Sequence, residues 1–463
     1  MKRENPGHSD RVAALWSPAT RALAKSAMDA AERTFSAWSN DVSSHRIELL
    51  DTLLNRIEDR LSTIAATITR ENGKTRAESR AEVNAALQDA RFQLGDARDA
   101  IDRPVSSPRR QGYRHGLVLE PVGVYLLITP WNFPFATVLR KLVPALAFGN
   151  TVVLKPSEFT PGPASMLFRI LSAVGFPPGV ANLILGTGKG AGPALVGHPA
   201  LRGISFTGSN AVGLELARQT AGRDVRLQLE MGGKNSLVVL SDADLERAVD
   251  AAVIGGFSCA GQWCTGTGRV IVEAGIHDAF CDRLIERVKT LVVGPGDARA
   301  TKIGPLVSAE RIKVARSGVR NAVKAGANLR CGGGRPVLRR GTRGHFFAPT
   351  VLTEVTETMP AFTDELFIPV LPVTRAQDYP DALRLANSGP YGLSASIFTS
   401  NRRKADDFLK RIEAGIAHVN LHTAFRVPEL PVAAWRDSGR GIPECGRFNR
   451  DFFTRPRAVY ENL

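Results

Sequence analysis

The sequence predicts an α/β protein of more than one domain, and three observations carry that expectation. Short continuous apolar runs recur along the chain, each the length of a strand buried on both faces. Between them stand stretches with apolar residues at helical spacing, the alternation of a parallel sheet wound with helices. At 463 residues, 43% of them hydrophobic, the chain is also too long for one ordinary core.

Taken in order, residues 20–39 and 43–72 have helical spacing, the second with Ser43 or Ser44 as N-cap and Gly73 as its stop. A third helix is expected over 77–100. The run 122–129, Val-Gly-Val-Tyr-Leu-Leu-Ile-Thr, reads as the first buried strand. Strands at 151–154, 181–185, 203–206 and 227–229 follow, separated by helices near 162–174, 189–197 and 209–220. A second α/β series begins near Ser236, with strand 237–240, helix 244–258, strand 270–272 and helices 277–292 and 309–325. It ends around Asn420, and no internal repeat or low-complexity tract interrupts it.

Composition narrows the function classes. The first ten residues are polar and charged, so a secretory signal is not expected. No run approaches the roughly 18 apolar residues of a membrane span. Five cysteines form a sparse, odd set that suggests a reducing compartment, hence a cytoplasmic location. The net charge of +15 admits an anionic partner. However, only 13 of the 60 basic residues are lysine, and the arginines are spread along the whole chain. Their longest cluster, 335–343, contains Gly and Pro and reads as an exposed loop. No nucleic-acid motif accompanies the charge, so an arginine-biased surface is expected rather than a nucleic-acid site.

The chemistry-bearing pair is Glu230, in Leu229-Glu230-Met231-Gly232-Gly233-Lys234, and Cys264, in Gly261-Gln262-Trp263-Cys264-Thr265. A thiol attacks as its thiolate and is activated by its surroundings. A carboxylate reaching the same centre can deprotonate the thiol, or later a water. Glycines on both sides of Cys264 and just after Glu230 imply backbone that comes close to a ligand. Pro130-Trp131-Asn132-Phe133-Pro134, Val153-Leu154-Lys155-Pro156-Ser157-Glu158, Phe206-Thr207-Gly208-Ser209, Glu365-Leu366-Phe367 and Tyr391-Gly392-Leu393 complete an ordered set. With that set the chain resembles the NAD(P)-dependent aldehyde dehydrogenase superfamily, from about residue 29 to the C-terminus. Within the superfamily, 228–235 and the tail Gly446-Arg447-Phe448-Asn449-Arg450-Asp451-Phe452-Phe453-Thr454 look most like 2-oxoglutarate-semialdehyde dehydrogenases.

The resemblance implies two doubly wound parallel-sheet domains and a small bridging antiparallel sheet. Residues 1–101 with 121–231 would form the dinucleotide-binding domain, and 232–430 the catalytic domain. Segments 102–120 and 447–463 would bridge subunits in a homodimer or homotetramer. Cys264 is then the nucleophile, and the Cys264 N–H and Asn132 amide hold the oxygen of a thiohemiacetal. Hydride transfer gives a thioester, and Glu230 activates the water that hydrolyses it. Asn132 also reads as a turn residue, Glu230 as a structural carboxylate, and Lys141 either as part of a proton-exit path or as a solvated lysine. Cys259, Cys281, Cys331 and Cys445 read as inert small hydrophobes.

For the cofactor, Gly186-Thr187-Gly188-Lys189-Gly190-Ala191-Gly192 imitates a dinucleotide fingerprint. The resemblance instead places Gly188 and Gly192 beside the adenine, and the pyrophosphate at Phe206, Gly208 and Ser209, where a strand meets a helix N-terminus. Lys155 and Glu158 would hold the adenosine ribose. Glu158 disfavours a 2′-phosphate, so NAD is expected, with NADP the alternative that Lys155 allows. Glu365 and Phe367 match the grip on the nicotinamide ribose, and Ile128, Trp131, Val212 and Gly232 complete the cofactor set. No metal is implied.

Phe133, Thr137 and Arg140 share one face of the helix after Pro134. By resemblance that face walls the substrate tunnel, with Trp263 and Thr265 flanking the thiol. An arginine fork at Arg140 suits the far carboxylate of an ω-semialdehyde such as 2-oxoglutarate semialdehyde. An Arg140 turned to solvent, or paired with an Asp or Glu, is the alternative. Three departures stand out: Ile368 replaces a glycine after Glu365-Leu366-Phe367, Val432-Ala433-Ala434-Trp435-Arg436 replaces Phe-Gly-Gly-x-Lys, and the N-terminus starts short of the family's opening strands. A non-catalytic interaction or nucleic-acid-binding relative and a CoA-acylating enzyme remain alternative readings. A gel shift and a CoA-dependent assay respectively would identify them.

Overall fold

The computed structural model describes residues 1–102, 105–106 and 113–462. The first apolar run becomes the strand Val124–Ile128, near the middle of a six-stranded sheet. The sheet runs Gly439–Gly441, Arg226–Glu230, Leu201–Thr207, Val124–Ile128, Thr151–Lys155, Ala181–Leu183, parallel except for its first strand. From Val124–Ile128 the chain builds outward in one direction, then returns and builds in the other. That reversal opens a crevice at the carboxyl ends of the strands. Tyr125 and Leu127 face one buried cluster, Val124 and Leu126 another, so every residue of the run is apolar. Helices Ser43–Asp59, Leu61–Asn72, Arg76–Asp102 and Ala136–Ala147 pack into the first cluster, and Arg21–Ser39 and Gly188–Val196 into the second.

A second sheet has seven strands, in the order Asn328–Cys331, Thr350–Thr353, Val370–Ala376, Thr267–Glu273, Asn235–Val239, Ser394–Phe398, Ile416–Val419. Only the first pairs antiparallel. It carries the largest buried cluster. In a third, three-stranded sheet, Thr454–Asn462 lies antiparallel along Tyr113–Pro121, from Thr454 opposite Pro121 to Asn462 opposite Tyr113. The helix Phe448–Phe453 before it turns Phe452 and Phe453 against Tyr125 under the first sheet, so the C-terminal segment serves two sheets. Of segment 102–120, residues 103–104 and 107–112 lie outside the described residues, as does residue 463 of the tail.

Several expectations need correction. The stretch 43–72 is two helices, broken at Arg60 (φ −106°, ψ 10°), and Val42, not a serine, is the N-cap. Ser43 and Ser44 fall inside the first turn because the Val42 carbonyl accepts from His45 and Arg46 N–H. Gly73 does stop the second helix, at φ +94°. Opening strands are present: Lys2–Asn5 and His8–Leu15 form an antiparallel hairpin whose turn is closed by Gly7 N–H on Asn5 Oδ1 at 2.9 Å. Its polar, largely solvated faces give no apolar alternation to read.

Two of the departures are absorbed locally. The Ile368 side chain is buried in the second sheet's core, where Gly318 of the helix Ala309–Lys324 leaves room for it. Trp435–Arg436 pairs with Tyr391–Gly392, and a Cβ on Gly415 would lie 1.8 Å from the Ala433 carbonyl oxygen, so this loop is packed against its neighbour.

Candidate active site

The thiol sits on a loop with little freedom. After the helix Leu245–Phe257, Cys259, Ala260 and Gly261 all take left-handed backbone angles, φ +54°, +56° and +69°. A Cβ on Gly261 would lie 2.3 Å from the Ile368 carbonyl oxygen, so glycine is required there. The strain is held by hydrogen bonds. Glu78 accepts from Cys259 N–H at 2.6 Å, and Gln262 donates to the Cys259 carbonyl at 3.2 Å while accepting from Val307 N–H at 3.0 Å. Asn235 Nδ2 donates to the carbonyls of Cys264 and Gly266, both at 2.7 Å. Gly261→Ala is expected to destabilise the fold by about 2 kcal/mol or more and to depress turnover, read by thermal unfolding and steady-state rates.

Asn132 is buried beside this loop and donates to the Gln262 carbonyl at 3.2 Å. It precedes the helix Ala136–Ala147, whose N-terminal donors Phe135 N–H and Ala136 N–H reach Glu82 Oε1 at 2.9 and 3.2 Å. The other Glu82 oxygen holds Lys74 at 2.6 Å, and Lys74 Nζ lies 3.5 Å over the Phe133 ring. Phe133 in turn packs on Trp263 at 5.6 Å between centroids, next to Cys264. Thr137 and Thr265 are buried, and Cys264 is half-buried.

The same helix carries two cations into the interior. Lys141 is fully buried, which corrects the solvated reading: its Nζ lies 2.9 Å from Glu444 Oε1 and donates to Ser205 Oγ at 2.9 Å, and Ser205 donates to Gln228 Oε1 at 2.7 Å. Arg140 is not turned to solvent. Its Nε donates to Asp89 Oδ2 at 3.2 Å, and Nη1 lies 3.8 Å from Glu444. Two carboxylates therefore already occupy the fork offered above for a substrate. Glu230 ends its strand in the same region, buried, with Oε2 lacking a hydrogen-bond partner among the described residues.

These charges set the acid–base properties. Burial, then the nearby Glu444 charge, holds Glu230 well above the ordinary carboxylate range, with Lys141 and Arg140 pulling it down. Burial pushes the Cys264 thiol up to about 11. Arg140 opposes that, Glu365 and Glu230 add to it, and the Thr265 N–H on the sulfur lowers it. Lys141→Met removes a cation that favours ionised Glu230, so the ascending limb of the pH–rate curve is expected to move to higher pH. A limb that stays in place would show that Lys141 does not act on Glu230.

A cleft of about 970 Å³ opens at the strand reversal. It brings together Ile128, Trp131, Lys155, Glu158, Gly188, Gly192, Phe206, Gly208, Ser209 and Val212. Gly188 and Gly192 have no atom within 4 Å of a built Cβ among the described residues, so this wall is open to a flat group. Ser209, N-cap of the helix Asn210–Thr220, makes no side-chain capping bond among those residues, which leaves the helix start suited to an anion. Lys155 Nζ stands 3.9 Å from Glu158 Oε2, and burial lowers its pKa. Gly232, Glu365 and Phe367 are not in this lining: a Cβ on Gly232 would lie 2.1 Å from Glu365 Oε2, Glu365 Oε1 accepts from Gly233 N–H at 3.1 Å, and Phe367 stacks edge-on against Trp131 at 5.5 Å. The donor set and the open glycine wall fit a dinucleotide.

Sequence reasoning passed over Asp89, Ser205, Arg426 and Glu444. Glu444 had one local signal, a carboxylate in Pro443-Glu444-Cys445-Gly446. Asp89 and Arg426 had none. Among the described residues no helix is long and apolar enough to cross a membrane.

A thiol on a tightly held loop and, at the strand reversal, a crevice whose lining fits a dinucleotide point together to a nicotinamide-linked oxidoreductase. The family model described as "Aldehyde dehydrogenase family" matches residues 1–459, and the chain belongs to that family, including the N-terminal stretch outside the resemblance noted above. It is 33% identical over 460 residues to the alpha-ketoglutaric semialdehyde dehydrogenase of Bacillus subtilis, covering 99% of this chain and 94% of that one. It is 36% identical over 464 residues to the alpha-ketoglutarate semialdehyde dehydrogenase of Haloferax volcanii, covering 99% and 95%. The fold matches the crystal structure of betaine aldehyde dehydrogenase from Staphylococcus aureus in complex with NAD+, with TM-score 0.94, 32% identity and coverage of 100% and 92%. The protein is an NAD(P)-dependent aldehyde dehydrogenase.

Proposed function

We propose that the protein oxidises an anionic semialdehyde of the 2-oxoglutarate semialdehyde type to its carboxylate through a covalent Cys264 intermediate. The observation that carries this reading is the geometry of the Cys264 loop in an aldehyde dehydrogenase family member: Asn235 holds the Cys264 carbonyl at 2.7 Å, and the buried Asn132 amide reaches the Gln262 carbonyl at 3.2 Å. Cys264 as thiolate attacks the carbonyl carbon, forming a thiohemiacetal whose oxygen is held by the Asn132 amide and the Cys264 N–H. Lys155, Glu158, Gly188 and Gly192 would hold the adenosine end of a dinucleotide and Glu365 and Phe367 its nicotinamide end, where it would supply the hydride acceptor. Glu230 then takes a proton from the water that hydrolyses the Cys264 thioester. Lys141 favours the ionised form of Glu230, while burial and the Glu444 charge oppose it. Because both reactive groups are shifted upward, turnover is expected to climb as pH rises through and above neutrality.

The likeness to semialdehyde dehydrogenases supports an anionic substrate. Glu158 on the cleft wall supports NAD over NADP. In this reading 1–101 with 121–231 binds the dinucleotide, 232–430 carries the thiol, and the exposed strand Thr454–Asn462 belongs to the bridging segments that pair subunits in the reducing cytoplasm. A panel of aldehydes with NAD and NADP tests the substrate reading. Dicarboxylic semialdehydes should give kcat/KM at least tenfold above uncharged aldehydes of equal length, and equal values would reject the anionic class.

A further inference from the structure

Around Arg140, Asp89 Oδ2 receives Arg140 at 3.2 Å and Arg426 Nη1 at 2.6 Å, while Glu444 receives Lys141 at 2.9 Å and Arg140 at 3.8 Å. Of these cations Arg426 is the one with donors to spare. Arg426 Nε and Nη2 are buried and have no hydrogen-bond partner among the described residues, although Nη1 is engaged. An orphaned guanidinium face is costly in a folded chain and calls for a partner.

The surroundings say where that partner would sit. Starting beside Cys264, the Trp263 ring meets His422 at 6.5 Å, and His422 meets Phe425 at 6.2 Å. Phe425 immediately precedes Arg426, and its carbonyl is held 2.8 Å from His418 Nε2, so the segment is fixed. A line of rings thus runs from the nucleophile to the residue next to the unsatisfied arginine. Arg140, in contrast, has its fork committed to Asp89 and Glu444.

Resting on the anionic-semialdehyde reading, we propose that Arg426, not Arg140, binds the carboxylate at the far end of the substrate through Nε and Nη2, and that Arg140 and Asp89 are positioning residues that hold it there. The Nε–Nη2 edge of a guanidinium offers two parallel N–H donors, the geometry a carboxylate accepts in a bidentate pair. The Trp263, His422 and Phe425 rings lie in sequence between the thiol loop and that anchor.

The test compares a carboxylated semialdehyde with an uncharged aldehyde of equal chain length, using the full-length wild type, Arg426→Gln and Arg426→Lys. The expected result is that Arg426→Gln lowers the ratio of kcat/KM, carboxylated over uncharged, by about 30-fold or more, chiefly through KM. Arg426→Lys, which keeps the charge but not the fork, should recover part of that ratio. A ratio unchanged in both variants, in a wild type that prefers the carboxylated substrate, overturns the role of Arg426 alone. A wild type without such preference overturns the anionic-substrate reading itself. Misfolding would lower both activities together and leave the ratio intact, so a variant's fall in the ratio cannot come from lost protein.

Discussion

Cys264→Ala is expected to abolish aldehyde oxidation, with kcat/KM lower by at least about 10⁴-fold, or ~5.5 kcal/mol of transition-state stabilisation. The reason is chemical rather than architectural. Without the sulfur no covalent adduct forms, and the hydride must leave a free or hydrated aldehyde that nothing anchors. Cys264 contributes little to the core, since it only borders a small cluster of Leu393, Val432 and Cys445 and is half-exposed. The thermal midpoint should therefore remain close to that of the parent. The loop around it is held by Asn235, Gln262 and Glu78 and not by the thiol. Dinucleotide affinity should also persist, because the cleft residues are untouched. If the alanine variant kept more than about a hundredth of the activity, another group would have to be the nucleophile. Cys259 and Cys445 are poor substitutes, because both are buried and burial raises both thiols, Cys445 to about 12.

Glu230→Gln separates the two roles open to this carboxylate. If it activates the hydrolytic water, the variant should form one equivalent of reduced dinucleotide per active site in a rapid burst. Steady turnover should then proceed roughly 10²–10⁴-fold more slowly. Hydroxylamine, which attacks a thioester without a general base, should restore cycling. If Glu230 instead deprotonates the thiol, the burst itself slows and hydroxylamine does nothing. The amide is nearly isosteric, and Glu230 Oε2 has no hydrogen-bond partner among the described residues to lose, so little unfolding penalty is expected. The wild-type pH profile carries the same logic. Burial and Glu444 raise Glu230, so below its folded pKa the group is protonated and cannot accept a proton; deacylation should therefore fail as pH falls. In Glu230→Gln the slow steady state should lose that dependence.

Much of the architecture was legible because local pattern and burial agree. The run at Val124–Ile128 is apolar throughout since successive side chains face two different cores, and that is visible without any tertiary information. Gly73 stops a helix through a backbone angle that glycine tolerates, which the sequence also announces. The N-terminal hairpin was invisible because its exposed faces carry no alternation, and its contacts, such as His345 with Glu4 at 2.6 Å, are more than 300 residues away in sequence. The site divides along the same line. Cys264, Glu230 and Asn132 stand in glycine- or proline-framed motifs whose local backbone hints at a ligand. Asp89, Arg426 and Glu444 come from three distant segments and gain meaning only when the fold sets them around Arg140 and Lys141. Arg140 itself was visible as a helix-face residue, but its partners were not, and those partners change its reading from substrate anchor to positioning residue.

The covalent account is tested most directly by the mass of the enzyme during turnover. Glu230→Gln mixed with NAD and a semialdehyde, quenched in acid within seconds and digested, should show the peptide containing Cys264 heavier by the acyl group, with a stoichiometry approaching one per chain. No adduct while reduced dinucleotide still accumulates, or an adduct on a different residue, would contradict the account.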